Sequence, residues 1–143
     1  MKVYKLLMLS VVILLALVSV SAVCSSDSNG QIVNGLNSVS DVNQALNDAQ
    51  HSNKSVLLIF DQDSCYYCDQ FKKDTLNNKE VQKILNEKFD VVFVDINKQT
   101  DVAVKHHVMG TPTCVILDSN GNDVSKIEGY VTSDEFLNAI KEI

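Results

Sequence analysis

The 143-residue sequence has no arginine and no tryptophan, a single proline, five glycines and four cysteines. Without arginine there is no planar fork to grip phosphate bidentately, and the lysines form no cluster, so the electrostatic footprint of a nucleic-acid binder is missing. Twelve lysines against eighteen acids give a formal charge of −6, which favours solubility and disfavours anionic surfaces. There is no internal repeat and no long low-complexity tract. Apart from His106 and His107, the chain offers no second Cys or His pair of the kind that completes a zinc site. Asp118, Asn120 and Asn122 imitate the start of a calcium loop, but Asp123 stands where that loop needs glycine and Gly129 where it needs its last glutamate, which excludes calcium there.

The N-terminus is the one long apolar run. Lys2 and Lys5 precede an almost unbroken apolar stretch from Leu6 to Val20, and the small residues Ser19, Ser21 and Ala22 follow, which is the layout of a secretory signal peptide. Three fates are open. The leader is cut after Ala22; or Cys24 is lipidated, although Ser21-Ala22-Val23-Cys24 departs from the bacterial lipobox at Ser21 and Val23; or the stretch stays as a membrane anchor. All three place the rest of the chain outside the cytoplasm. A cut after Ala22 removes two lysines and no acid, leaving ten lysines, eighteen acids and a charge of −8. What remains has the size of a single domain, expected to be a monomer.

Residues 23–38 are rich in Ser, Asn, Asp and Gly and read as a flexible tether carrying at most one short edge strand. Beyond them, Val42, Ala45, Leu46 and Ala49 fall at helical spacing behind an N-cap at Ser40 or Asp41. Val56 to Phe60 is a continuous apolar run of strand length, suited to a central strand covered on both faces. A helix from Cys65 to Leu76 and another from Lys79 to Lys88 then lead to a second buried strand, Val91 to Ile96. A short helix around Asp101 to His107 precedes a third strand, Thr113 to Leu117. Asn120-Gly121 marks a tight hairpin that pairs Val124 to Glu128 antiparallel with that strand. The last helix starts at Thr132 with a capping box to Glu135 and buries Phe136, Leu137 and Ile140. The order βαβ followed by ββα predicts an α/β fold of three layers, a mixed sheet with helices on both faces.

Within this frame stands Cys65-Tyr66-Tyr67-Cys68, just after the first strand and at the start of a helix. Two cysteines separated by two residues can close a small ring by oxidation, and a helix N-terminus favours the first sulfur as thiolate, so Cys65 is the candidate nucleophile. The lone proline, Pro112 in Gly110-Thr111-Pro112-Thr113, lies before a buried strand and is best explained by a cis bond. Such a turn brings the Thr111 backbone next to the sulfurs, where it can pair with an extended substrate. Tyr66 offers a substrate-contacting rim, and Tyr67 either shares it or packs on the loop. Cys114, two residues past Pro112 in an apolar strand, reads as a buried thiol behaving as a small hydrophobe. His106 and His107 have two readings: an exposed helix end, or a group that tunes Cys65 or joins the cysteines in a copper or zinc site.

Strand, CxxC, helix, a valine-rich strand ending in Asp95, and Gly-Thr-Pro-Thr together resemble the thioredoxin superfamily from about Val39 to Ile143. The stretch from Asn78-Lys79-Glu80-Val81 through Phe89 to Val94-Asp95 is similar to the exported thioredoxin-related proteins more than to cytosolic thioredoxin. The resemblance implies a domain over residues 39–143, with Cys65 attacking, Cys68 resolving and Pro112 as the cis-proline. It implies disulfide exchange with protein substrates, no bound cofactor or metal, and a redox partner that resets the pair. The departures are specific. Ser64 and Asp61 stand where the family has tryptophans, Ile59 where it has a buried acid, and Phe93 where it has a buried lysine. The usual proton acceptor for the resolving thiol is therefore absent, leaving water, Asp61 or Asp63 to substitute. Asp61, Asp63 and Asp69 crowd the dithiol and disfavour the thiolate, which predicts a reductant nearer the thioredoxin end of the scale, about −270 mV, than the strong-oxidant end, about −120 mV. A copper- or zinc-binding metallochaperone and a non-enzymatic interaction domain of the same fold are the alternatives.

Overall fold

A computed structural model describes residues 32–143. The apolar leader, Cys24 and residues 23–31 of the expected tether lie outside the described residues. The elements run α1 (Val42–Ser52), β1 (Ser55–Asp61), α2 (Tyr66–Gln70), a π-helical segment Phe71–Leu76, α3 (Lys79–Lys88), β2 (Phe89–Asp95), α4 (Thr100–Lys105), β3 (Thr113–Leu117), β4 (Asp123–Glu128) and α5 (Ser133–Lys141).

The four strands form one mixed sheet in the order β2-β1-β3-β4. β1 pairs parallel with β2 and antiparallel with β3, and β3 pairs antiparallel with β4. β1 is therefore interior to the sheet, and its five apolar residues from Val56 to Phe60 are all buried. Because side chains alternate along a strand, they divide between two cores. Leu57 and Ile59 join Val91, Cys114 and Ile116 beneath Phe71, Leu76, Val81, Leu85, Phe136 and Ile140. Val56, Leu58 and Phe60 join Val92, Val94, Val115 and Leu117 beneath Val42, Ala45, Ala49 and Ala103. One face of the sheet is thus covered by α2, the π segment, α3 and α5, and the other by α1 and α4.

Local chemistry fixes the helix ends. The Asp41 carboxylate accepts from the N–H groups of Asn43 and Gln44 at 2.9 and 3.0 Å, and the Asn78 side-chain Oδ1 does the same for Glu80 and Val81 at the start of α3. Thr132 and Glu135 complete the expected capping box. Two segments differ from the sequence reading. The helix after Cys65 is α-helical only to Gln70 and then winds as a π-helix to Leu76, which turns Phe71, Thr75 and Leu76 inward together. The Thr75 hydroxyl, buried in that turn, donates to the Val131 carbonyl at 2.6 Å.

Residues 32–38, at the end of the stretch read as tether, pack against the domain. Val33 and Leu36 are buried in the larger core, the Gln82 amide donates to the Asn34 carbonyl at 2.8 Å, and the Val39 N–H donates to the Val91 carbonyl at 2.7 Å. Composition hid this, because two buried apolar residues among polar ones suffice when a neighbouring helix supplies the hydrogen bonds. Gly35 sits at φ +89°, a left-handed turn against Gln82 where an added Cβ would lie 2.7 Å from the Gln82 side-chain oxygen.

Candidate active site

The site forms where the C-terminal end of β1 meets the loop before β3. β1 ends at Asp61, and three residues later Ser64 takes the left-handed conformation, φ 61°, which turns the chain so that Cys65 becomes the N-cap of α2. A non-glycine residue there is a local strain of the kind found where a fold aims a functional group. Cys65 and Cys68 are joined in a disulfide. Cys65, at the helix start, is partly exposed as a residue, and Cys68, one turn inside the helix, is 2% exposed. The Cys68 N–H donates to Cys65 Sγ at 3.2 Å.

The second wall of the site is the loop 109–112. The Thr111–Pro112 peptide is cis, as the sequence predicts. The Thr111 hydroxyl donates to Cys65 Sγ at 3.4 Å, and the Thr111 carbonyl oxygen lies 3.8 Å from the same sulfur. The loop is held from behind: the Gly129 N–H donates to the Pro112 carbonyl at 2.8 Å, and the Thr113 hydroxyl donates to the Gly110 carbonyl at 2.8 Å. Tyr66 and Tyr67 are exposed and meet edge to face with centroids 5.4 Å apart, and Met109 within the loop is 95% exposed. The site thus has an apolar rim.

The electrostatic surroundings are more specific than the sequence reading. A carboxylate oxygen of Asp61 and the two sulfurs all lie within 4.8 Å of one another. Lys72, on the π segment, forms an ion pair with Asp61 Oδ2, and the Gln62 N–H donates to Asp61 Oδ1 at 2.7 Å. Asp63, the other candidate acid, is exposed and belongs with Asp61, Phe93, Asp95 and Ile32 to the lining of a cleft beside the dithiol. Asp95 is held below the usual carboxylate range, mainly by its hydrogen bond from the Lys98 ammonium, and the same bond raises Lys98. Lys72 was not singled out in the sequence. The available signal is its spacing, seven residues and two helical turns after Cys65, on a helix leaving an acid-terminated strand.

The histidines fall outside the site. His106 is 2% exposed, with Nδ1 2.6 Å from Asp123 Oδ1 and its ring 6.4 Å from that of Phe60, on the face of the sheet covered by α1 and α4. It is therefore neither an exposed helix end nor a neighbour of Cys65. His107 is exposed, at φ 52°. Lys126 instead serves the end of α4, donating to the His106 and His107 carbonyls at 2.8 and 3.2 Å. Cys114 is a buried free thiol, and burial pushes its acidity far below that of an exposed cysteine.

The profile of the thioredoxin-like domain family matches residues 42–143, and the chain belongs to that family. It is 33% identical over 109 residues to the thiol:disulfide interchange protein DsbD of Salmonella typhi, a match covering 71% of this chain and 18% of that protein. The chain thus spans about a fifth of the length of the curated relatives it matches. Among solved structures it resembles a thioredoxin from Thermus thermophilus, with TM-score 0.66 and 27% identity over 72% of this chain and 83% of that one. It also resembles the C-terminal domain of DsbD from Neisseria meningitidis in the reduced form, with TM-score 0.59 and 26% identity over 70% and 91%. Fold, cysteine pair and relatives together place the chain in the thioredoxin superfamily.

Proposed function

We propose that this protein exchanges disulfides with other proteins through Cys65 and Cys68, outside the cytoplasm, and that it works as a reductant or moderate exchanger. The observation that carries the reading is the asymmetric pair: a partly exposed Cys65 at a helix start, its sulfur touched by Thr111, and a buried Cys68 behind it. In the reduced protein Cys65 attacks a substrate disulfide as thiolate and forms a mixed disulfide, releasing one substrate thiolate. Cys68 then attacks Cys65 Sγ, the second substrate thiolate leaves, and two electrons have passed to the substrate. The two sulfurs carry those electrons themselves, so no cofactor is called for, and a redox partner restores the dithiol.

Tyr66, Thr111 and Pro112 are the substrate contacts in this reading. The exposed Tyr66 ring receives apolar side chains beside the scissile disulfide, and the Thr111 backbone at the cis-proline pairs with an extended substrate segment. Export rests on the leader-like residues 1–22, with attachment through that segment or through Cys24 as its variants. The test is a trapping experiment. A Cys68→Ser protein incubated with a disulfide-bonded protein should accumulate a mixed disulfide through Cys65, and Cys65→Ser should form none. Equal trapping by both variants, or by neither, would overturn the proposal.

A further inference from the structure

We propose that Asp61 takes the proton from Cys68 during resolution of the mixed disulfide, and that Lys72 positions it. The inference rests on the exchange proposed above and adds the group that makes its second step possible. A thiol 2% exposed has little water to receive its proton, yet only its thiolate is a nucleophile. The positions that would supply a buried acid and lysine in the resembled family are Ile59 and Phe93, and these two face each other across β1 and β2 as an apolar pair. Asp61 lies two residues beyond Ile59 on the same strand, hence on the same face of the sheet and nearer the strand end. Its carboxylate comes within 4.8 Å of both sulfurs, within reach directly or through one bridging water. Asp63, by contrast, is exposed on the loop.

The carboxylate is aimed. Lys72 holds Oδ2 and the Gln62 N–H holds Oδ1, and the Asp61 side chain is only 18% exposed and that of Lys72 26%. The acid–lysine pair has thus moved two residues along the strand, and its cation comes from the helix that carries the cysteines. In the step itself, the Cys68 S–H gives its proton to the Asp61 carboxylate as Cys68 Sγ attacks Cys65 Sγ. The new S–S bond forms, the Cys65-to-substrate bond breaks, and the departing substrate thiolate takes up the proton from Asp61. The other charged groups around this carboxylate are Asp63 on the loop, Asp95 opposite it at the end of β2, and Lys98 bound to Asp95, while Asp69 on α2 shares a cleft with Lys72 and Lys73.

Rapid mixing of reduced protein, in a Cys24→Ser background, with dithiobis(nitrobenzoate) separates the steps. The first equivalent of thionitrobenzoate reports attack by Cys65 and depends on reagent concentration, whereas the second reports resolution by Cys68 and does not. Asp61→Asn is expected to slow the second release about 100-fold at neutral pH, at the low end of general-base effects. Its rate should then climb about tenfold per pH unit, as free thiolate must carry the step. Lys72→Met should slow the same release less, and Lys72→Arg should restore it. A second release at the wild-type rate and pH slope in both Asp61→Asn and Lys72→Met would overturn the assignment, as would slowing confined to the first release. A wild-type protein that releases a first equivalent and never a second would overturn the exchange reading and this step with it.

Discussion

Three cysteines of the described residues occupy three environments, and each environment sets a reactivity. Cys65 is partly exposed at the start of α2, where unsatisfied N–H groups favour a thiolate, Cys68 is 2% exposed one turn in, and Cys114 is buried in β3 with its acidity suppressed by desolvation. Site-resolved mass spectrometry after brief alkylation of the reduced protein should show Cys65 labelled first, Cys68 later, and Cys114 only once the protein is unfolded. Faster labelling of Cys68 than of Cys65 would reverse the roles assigned to them. At this scale the sequence was most legible for the groups whose chemistry is local: the CxxC spacing and the lone Pro112 each announce themselves within four residues. It was least legible for His106, because nothing in its neighbours shows that Asp123, seventeen residues on, will draw it inside. Lys72 was less legible too, since its partner Asp61 lies eleven residues back at the end of β1.

The elements followed the periodicity of the chain closely. α3, β3 and the β3–β4 hairpin stand where apolar spacing and Asn120-Gly121 put them, because runs such as Val56 to Phe60 have no half-buried alternative. The π winding of Phe71–Leu76 and the packing of residues 32–38 were not legible, since both depend on tertiary contacts and not on local propensity. Each element yields a stability test. Leu36, 1% exposed in the core although it precedes the expected domain, should cost about 2–5 kcal/mol when truncated in Leu36→Ala, measured by denaturant unfolding. A loss near zero would mean that the segment does not belong to the cooperative unit. Thr132→Ala removes one half of the capping box of α5 and should cost about 1 kcal/mol by the same measurement, without changing exchange activity.

Across the whole molecule, charge links stability to pH. Asp95, Asp118 and Glu135 all lie below their ordinary values of 3.8, 3.8 and 4.5, held there chiefly by the Lys98 ammonium, the Asn122 side chain and the Thr132 N–H respectively. A carboxylate depressed in the folded state contributes its stability above the unfolded value and loses it as pH falls through the folded one. Tm should therefore be flat as pH falls towards 4.5 and drop below about 4, with Glu135→Gln showing a smaller acid loss. The same acidic character bears on the central claim, that Cys65 and Cys68 form a redox-active pair poised towards reduction of protein disulfides. Asp61, beside both sulfurs, opposes a nearby thiolate and so disfavours the reduced form, although Lys72 offsets part of that field. The most direct measurement equilibrates the protein with thiol-disulfide buffers of graded potential and reads the oxidation of Cys65 and Cys68 by alkylation. The account predicts one two-electron transition shared by both cysteines, with a midpoint nearer about −270 mV than about −120 mV. A pair that stays in one state across the range, or a midpoint above about −150 mV, would contradict it.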